Sequence, residues 1–262
     1  VEWIPFCALF LIKMFIEGNW KNSINAGFFF ILVAASDMQY MLFMGIFVGV
    51  LFLYEFYYHV IKEFILNQSL ISKNLFIFLK KYCNFGLISF PGIIFLTFHD
   101  ILKATSSDNF LKLDFHESVV YSTDLLSFFL PAKMHPFFGT YVSPIYNNFL
   151  GNQTEHTTFI GFIVLALSIF VVITLRKDII VRFWIISALF FSILSMGPIL
   201  KINGETEFPI FDVTIPLPHL LLYYLVPFLE NCRTTGRFFV IAALASAVLA
   251  GYGWVRASST RR

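Results

Sequence analysis

Charged side chains are scarce in this chain. Asp, Glu, Lys and Arg make up 13% of its 262 residues, whereas hydrophobic residues make up 58% and the mean hydropathy is +0.78. These values exclude an ordinary soluble globular domain. The formal net charge is only +2, and no groove of interleaved basic and aromatic residues indicates a nucleic-acid partner. The partner that the composition predicts is a lipid bilayer, with no nucleic acid.

Cysteine is rarer still, and metal-binding motifs are missing. The three cysteines are an odd number, so they set neither a disulfide framework nor a redox compartment. The sequence contains no HExxH, no Cys pair and no run of clustered carboxylates. We therefore predict no metal site, and the residues alone identify no other cofactor.

Long apolar runs are what the sequence has in abundance. Several windows contain no Asp, Glu, Lys or Arg, and as helices each is long enough to cross a hydrocarbon core of about 30 Å. Their apolar residues are continuous rather than alternating, which indicates helices and not the strands of a barrel. These windows are residues 38–54, 82–99, 159–175, 183–200 and 238–255.

The N-terminal part adds two shorter apolar runs. Residues 22–36 precede the first window, and Asp37 between them predicts the turn of a helical hairpin. Residues 3–16 are interrupted by Pro5 and Lys13, which indicates either the end of a severed span or an interfacial helix. The sequence opens VEW without an initiator Met or a signal peptide, so we expect the C-terminal portion of a longer protein.

The distribution of Lys and Arg predicts which side each loop occupies, once residues 213–229 are assigned. If this segment does not cross the bilayer, ten basic residues lie on one side and six on the other, in longer loops. If it crosses, the division is nine against seven. The first arrangement fits the positive-inside rule, and three prolines within the segment disfavour a regular span. They are Pro216, Pro218 and Pro227.

The resulting prediction is an all-α polytopic transmembrane bundle with about six or seven spans. Residues 216–230 form a re-entrant or interfacial helix, the loops 100–156 and 201–237 are extracytoplasmic, and the C-terminus is cytoplasmic. We expect one membrane domain of residues 1–262. It comprises N-terminal spans (1–99), the outer loop (100–156) and C-terminal spans (157–262).

Arg233 and Arg237 stand at the start of the last window, on the side where positive charge is disfavoured. Four residues apart on a helix, their guanidinium groups would project from one face and could grip one phosphate. The N-terminus of that helix would add to anion binding. Alternatively, both are interfacial anchors that reach lipid headgroups. In either case we expect another group to offset their charge.

Other polar candidates lie mostly in the outer loop. Asp124 and Glu155 are eligible by type as a general base, although Asp124 could simply cap the following segment LLSFFL. His135 and His156 could face a cavity at the membrane surface. His219, after IPLP, fits an interfacial hydrogen-bonding residue better than a ligand.

The order of several segments is familiar. STDLLSFFLPAKMHPFFG is followed by GNQTEHTTFIGFIVLAL, RFWIISALFFSILSMGPIL and IPLPHLLLYYLVPFLENCRTTGRFFVIAALASAVLAGYG. This order resembles the C-terminal part of bacterial and archaeal polytopic membrane glycosyltransferases of the GT-C superfamily. The resemblance covers residues 20–255 and is most specific at P-F-L-x-x-x-R-x-x-G-R-F.

The resemblance implies a prokaryotic cell-membrane transferase that uses a polyprenyl-phosphate-linked sugar donor on the extracytoplasmic face. In such enzymes an acidic motif in the first outer loop supplies the catalytic carboxylate or metal contact, and no such stretch is visible here. The implied role of Arg233 and Arg237 is to hold the phosphate of the lipid-linked donor or product.

A non-catalytic protein is the alternative: a membrane scaffold, or a transporter or flippase of lipid-linked saccharides. A transporter is expected to carry polar or ionisable groups at the bilayer midplane. The apolar windows are almost free of such groups. This scarcity disfavours ion-coupled transport, but it leaves the scaffold open.

Overall fold

The computed structural model describes residues 1–58, 71–106, 115–207, 213–226 and 229–259, with only the backbone for 71–74 and 99–106. The described secondary structure is helical, and its β-type pairing consists of isolated bridges at Ile199–Pro216 and Ile202–Glu205. The predicted all-helical class is confirmed. The chain divides into two compact units, Val1–Phe110 (unit 1) and Leu111–Arg262 (unit 2). The single membrane domain predicted from the sequence stays a prediction.

Unit 1 contains four helices in its described part. Helix α2 packs against each of the other three, because short turns join it to α1 before it and to α3 after it, and because it lies along α4. The contact with α4 is close: a Cβ added at Gly92 would lie 2.5 Å from the Ile31 side chain. The helices are α1 (Ile4–Glu17), α2 (Trp20–Ser36), α3 (Met38–Phe56) and α4 (Ile71–Ser106).

Local capping residues set the turns of unit 1. Gly18 ends α1 in the left-handed region, with φ of 65°, and its N–H donates to Met14 O. Asp37 lies between α2 and α3, and its Oδ1 accepts the Gln39 N–H at 2.8 Å. The predicted hairpin with Asp37 at its turn is confirmed.

Unit 2 is built around its last helix, which packs against two preceding apolar helices, α7 and α8. Shorter helices and 3₁₀ turns lie between these longer ones. The helices are α5 (Phe115–Val120), α6 (Gly139–Tyr146), α7 (Phe162–Leu175), α8 (Ile179–Ser195), α9 (Pro218–Leu225) and α10 (Phe239–Ser259).

Three described helical segments are long and apolar enough to cross a bilayer: Met38–Phe56, Leu75–Phe98 and Thr235–Ser259. These segments are consistent with an integral membrane protein. The windows 159–175 and 183–200 give helices of only 14 and 17 residues. They are shorter because α7 starts after Gly161 and α8 ends before Gly197, both with positive φ. The predicted total of six or seven spans stays a prediction.

Helix α9 has eight residues. At about 1.5 Å per residue it extends only about 12 Å, far less than a hydrocarbon core. Before it, the Leu217 N–H donates to Pro198 O and the Leu200 N–H donates to Ile215 O, so this segment is tied to the end of α8. The helix is thus shorter than the predicted re-entrant or interfacial helix of residues 216–230, of which residues 227–228 lie outside the described residues; that this region does not cross the bilayer stays a prediction.

Candidate functional site

The arginine pair lies on a loop that enters the last helix. This arginine loop, residues 229–238, contains 3₁₀ turns at Leu229–Asn231 and Thr235–Phe238, and α10 begins directly after it. Arg237 belongs to the second turn, whereas Arg233 precedes that turn. From their spacing, we predicted that the two side chains project from one face of an α-helix. This prediction is wrong, because the two residues do not belong to one regular α-helix.

Buried hydrogen bonds explain the tighter backbone of the arginine loop. Thr235 Oγ1 donates to Ser118 O at 3.1 Å, and the Gly236 N–H donates to Tyr121 O at 3.2 Å. Gly236 lies so close to the neighbouring backbone that an added Cβ would be 3.1 Å from Glu155 O. The loop is thereby held between the two arginines by residues distant in sequence.

Each arginine lies beside a carboxylate. Arg233 Nε is 3.4 Å from Glu117 Oε2, and Arg237 Nε is 3.9 Å from Glu155 Oε1. The first contact is electrostatic, since Glu117 Oε2 accepts no hydrogen bond from the described residues. The expectation that another group offsets the two arginine charges is confirmed.

Tyr121 fixes the position of Arg233. Arg233 Cζ lies 4.2 Å from the centroid of the Tyr121 ring, and Arg233 Nη2 donates to the Tyr121 hydroxyl at 2.5 Å. The Arg233 and Arg237 side chains are 48% and 42% exposed. The guanidinium groups are thus oriented by the protein and still reached by solvent.

Glu155 is the buried carboxylate of this site. It lies on the 3₁₀ turn Gln153–His156, and its side chain is only 7% exposed. Burial raises the pKa of Glu155, and the nearby charges of Arg237 and Arg233 oppose that rise. A carboxyl group with a raised pKa beside arginines can exchange a proton closer to neutral pH than an ordinary glutamate.

Asp124 has a different environment. It is fully buried and caps the 3₁₀ turn Leu125–Phe128: its Oδ1 accepts the N–H of Leu126 at 2.9 Å. The same oxygen accepts the Asn203 N–H at 3.2 Å, and Oδ2 accepts the Gly204 N–H at 2.8 Å. Asp124 therefore joins two turns distant in sequence, as the capping alternative anticipated in part.

Lys201 supports the same region, and the sequence patterns did not single it out. Its buried Nζ donates to Ser122 O at 2.8 Å and to Val120 O at 3.1 Å. Burial lowers the Lys201 pKa to about 8, an effect that the Asp124 charge opposes. Together, Asp124 and Lys201 hold the backbone that carries Tyr121.

His135 and His156 stabilise turns. His135 Nδ1 accepts the N–H groups of Phe137 and Phe138 at 3.2 and 3.3 Å. In the buried His156 ring, Nδ1 accepts the Asp124 N–H at 3.4 Å, so we assign the proton to Nε2, which donates to Leu150 O at 2.6 Å. Burial lowers the pKa of His156, and the hydrogen bond to Leu150 O opposes this shift.

His219 is buried on α9, edge-on to Phe238 with ring centroids 5.7 Å apart. Among the described residues, neither of its ring nitrogens has a hydrogen-bond partner. Burial lowers its pKa to about 4. The expected hydrogen-bonding role of His219 therefore has no counterpart in the described part of the chain.

The structure brings Arg233, Arg237 and Glu155 together with Glu117 and Tyr121, two residues that the sequence patterns did not identify. The described residues contain no group of three or more His, Cys, Asp or Glu side chains placed to hold a metal ion. No protein-family model, no curated protein and no solved structure matches this chain. The function is therefore inferred from the site itself.

Proposed function

We propose that the arginine loop binds the phosphate of a lipid-linked saccharide in a GT-C-like membrane glycosyltransferase. One observation carries the proposal: two half-exposed arginines are held on a hydrogen-bonded loop at the entrance of an apolar helix of membrane-spanning length. A lipid phosphate needs this combination, since its chain lies in the bilayer and its charge at the surface. The proposal includes six or seven spans, with the loops 100–156 and 201–237 on the extracytoplasmic side.

The charge balance of the site supports a reversible anion site. With both carboxylates ionised, Arg233, Arg237, Glu117 and Glu155 sum to zero. Once Glu155 has accepted a proton, which its burial favours, the four side chains sum to +1, and this charge stabilises a phosphate at the site. Contacts of 3.4 and 3.9 Å through Nε are weaker than close bidentate pairs, so a phosphate can compete for the arginines.

In the proposed reaction, the hydroxyl of an acceptor attacks the anomeric carbon of the sugar. The new C–O bond forms as the bond between that carbon and the phosphate oxygen breaks, and the polyprenyl phosphate leaves with the electron pair. Glu155 is the residue at this site best suited to accept the hydroxyl proton, because the oxygens of Asp124 already accept three backbone N–H groups. Arg233 and Arg237 stabilise the charge that develops on the leaving phosphate.

The binding step is tested with the full chain in lipid nanodiscs and farnesyl phosphate, with farnesol as the uncharged comparison. Arg233→Gln and Arg237→Gln are each expected to weaken farnesyl phosphate binding about tenfold, the effect of one lost charge-assisted contact. Lys133→Gln is the matched control, because Lys133 is a cation of the same unit whose Nζ donates to Asn147 Oδ1 at 2.7 Å. If the double arginine variant binds like the control, or if farnesol binds as tightly, the phosphate site is refuted.

The transfer step has its own measurement. Free polyprenyl phosphate released from a panel of polyprenyl-phosphate monosaccharides is quantified with an added acceptor extract. We expect release by the unaltered chain, or by the longer protein containing it, and loss of release in Glu155→Gln. If farnesyl phosphate binds but no donor is cleaved, the site serves binding without transfer.

A transporter of lipid-linked saccharides is the second candidate, and one observation favours it. Glu55 and Lys81 form a buried ion pair between two helices of membrane-spanning length, directly beside the charge-free windows 38–54 and 82–99. Such groups are typical of transport pathways. Movement of an intact fluorescent lipid-linked saccharide between leaflets of a proteoliposome, with no cleavage of its phosphate bond, would favour transport over transfer.

A further inference from the structure

Unit 1 contains a buried ion pair that the proposed transferase chemistry does not use. Lys81 Nζ donates to Glu55 Oε1, and the Tyr82 hydroxyl donates to Glu55 Oε2 at 3.0 Å. The Lys81 and Glu55 side chains are only 7% and 1% exposed. Both lie within apolar segments of membrane-spanning length. A buried ion pair contributes little net stability, and ionisable groups in such helices usually mark a functional site.

The pair borders a cavity of about 180 Å³ between α1, α3 and α4. This volume corresponds to roughly six water molecules at about 30 Å³ each. Glu17 contributes a second carboxylate to the lining, and the buried rings of Phe15 and Phe78 contribute apolar surface. The cavity can therefore hold a small molecule that has both a charge and carbon atoms.

The charges that line the cavity favour a cation. Lys81 balances Glu55, and Glu17 leaves a net charge of −1 among these three side chains. Glu17 is the last residue of α1, so the negative end of that helix dipole adds to the effect. The Asn22 side-chain amide donates to Glu17 Oε2 at 2.8 Å, which orients the carboxylate.

The cavity fits an organic cation better than a metal ion. Metal ions such as Ca²⁺ take six or more oxygen ligands, whereas the lining offers two carboxylates, one of them already bonded to Lys81 and Tyr82. Aromatic rings, in contrast, attract ammonium groups. We propose that unit 1 binds a small organic ammonium ion here. Glu17 faces its charge, Phe15 and Phe78 pack against its carbon atoms, and the Glu55–Lys81 pair forms the inner wall.

The experiment uses the full chain in nanodiscs and isothermal titration with tetramethylammonium chloride at ionic strength held constant with NaCl. The unaltered chain is expected to bind this probe. Glu17→Gln is expected to weaken binding on the order of threefold, the effect of one exposed charge. The variant should fold, because Glu17 is exposed and a glutamine oxygen can still accept the Asn22 amide.

Glu2→Gln is the matched control, since Glu2 is also exposed and lies just before the opposite end of α1. Its affinity for tetramethylammonium should equal that of the unaltered chain. Tetrabutylammonium should bind more weakly than tetramethylammonium, because its four butyl chains cannot all enter a cavity of about 180 Å³. Absence of tetramethylammonium binding, equal effects of the two variants, or equal binding of tetrabutylammonium would each overturn the ammonium site. None of these outcomes depends on phosphate binding by unit 2.

Discussion

Replacing Asp124 by alanine separates a turn-holding role from a catalytic one. In the structure, the Asp124 carboxylate accepts the N–H groups of Leu126, Asn203 and Gly204. The alanine variant removes all three bonds while leaving the arginines and Glu155 in the sequence. Its expected effect is therefore on the local stability of two turns.

The magnitude follows from these bonds. Loss of an N-cap costs about 1 kcal/mol. Each hydrogen bond to a charged acceptor contributes about 1.5 to 3 kcal/mol. Even with the lower value for Asn203 and Gly204, the total is about 4 kcal/mol, a large share of the roughly 5 to 15 kcal/mol that stabilises a typical protein. Buried Lys201 also loses the charge that counteracts its lowered pKa.

Amide hydrogen exchange measured by mass spectrometry reports this local loss. A decrease of about 4 kcal/mol in opening free energy corresponds to exchange about a thousandfold faster at the Gly204 amide. Asp178→Ala is the matched control, because Asp178 only caps α8, accepting from Ile180 and Val181 at 2.8 and 3.0 Å. Its cost is about 1 kcal/mol, or roughly fivefold faster exchange at Ile180.

Two results would refute this reasoning. In one, exchange at Gly204 in Asp124→Ala accelerates no more than exchange at Ile180 in the control. In the other, protection of the turns is unchanged but transfer from the lipid-linked donor is lost. The second result would indicate that the Asp124 carboxylate acts on the substrate, as a candidate general base.

Two further predictions concern Gly236 of the arginine loop and the Glu155 carboxylate beside that loop. Gly236→Ala places a Cβ 3.1 Å from both Glu155 O and Thr123 Oγ1, so we expect a loss of about 1 to 2 kcal/mol and a lower Tm. Gly251→Ala, with no atom within 4 Å of the added Cβ, should instead be neutral or stabilising. Burial raises the pKa of Glu155, so the folded state retains its proton longer than the unfolded state as pH rises, and stability falls between the unfolded and the folded pKa. Glu155→Gln should remove this fall, which thermal unfolding from pH 4 to 8 would detect; an unchanged pH dependence would contradict the raised pKa.

The helical hairpin of α2 and α3 is a feature that neighbouring residues in the sequence were sufficient to predict. The apolar runs on either side of Asp37 and the capping chemistry of that residue are both local, so the turn could be predicted. The same reasoning failed for the ends of α7 and α8. There, glycines with positive φ set the boundaries: α7 starts only after Gly161, and α8 ends before Gly197 although its apolar window continues to residue 200.

The ion pair of unit 1 was missed for a physical reason. A window chosen to contain no Asp, Glu, Lys or Arg always ends next to a charged residue. Glu55 and Lys81 were therefore interpreted as the ends of two spans. Only the packing of the helices shows that the two charges are buried against each other. A hydropathy pattern along the sequence cannot distinguish a charged side chain that is buried in an ion pair from one that lies at the membrane surface.

By itself, the sequence determined the helical class, the apolar segments and the need for a group that offsets Arg233 and Arg237, because composition, periodicity and charge act locally. The tertiary structure decided which groups do so. Tyr121 lies 112 residues before Arg233, and only the folding of unit 2 brings it, Glu117 and Glu155 to the arginine loop. Burial, which raises the pKa of Glu155 and surrounds Asp124 with backbone amides, likewise depends on contacts between segments far apart in the chain.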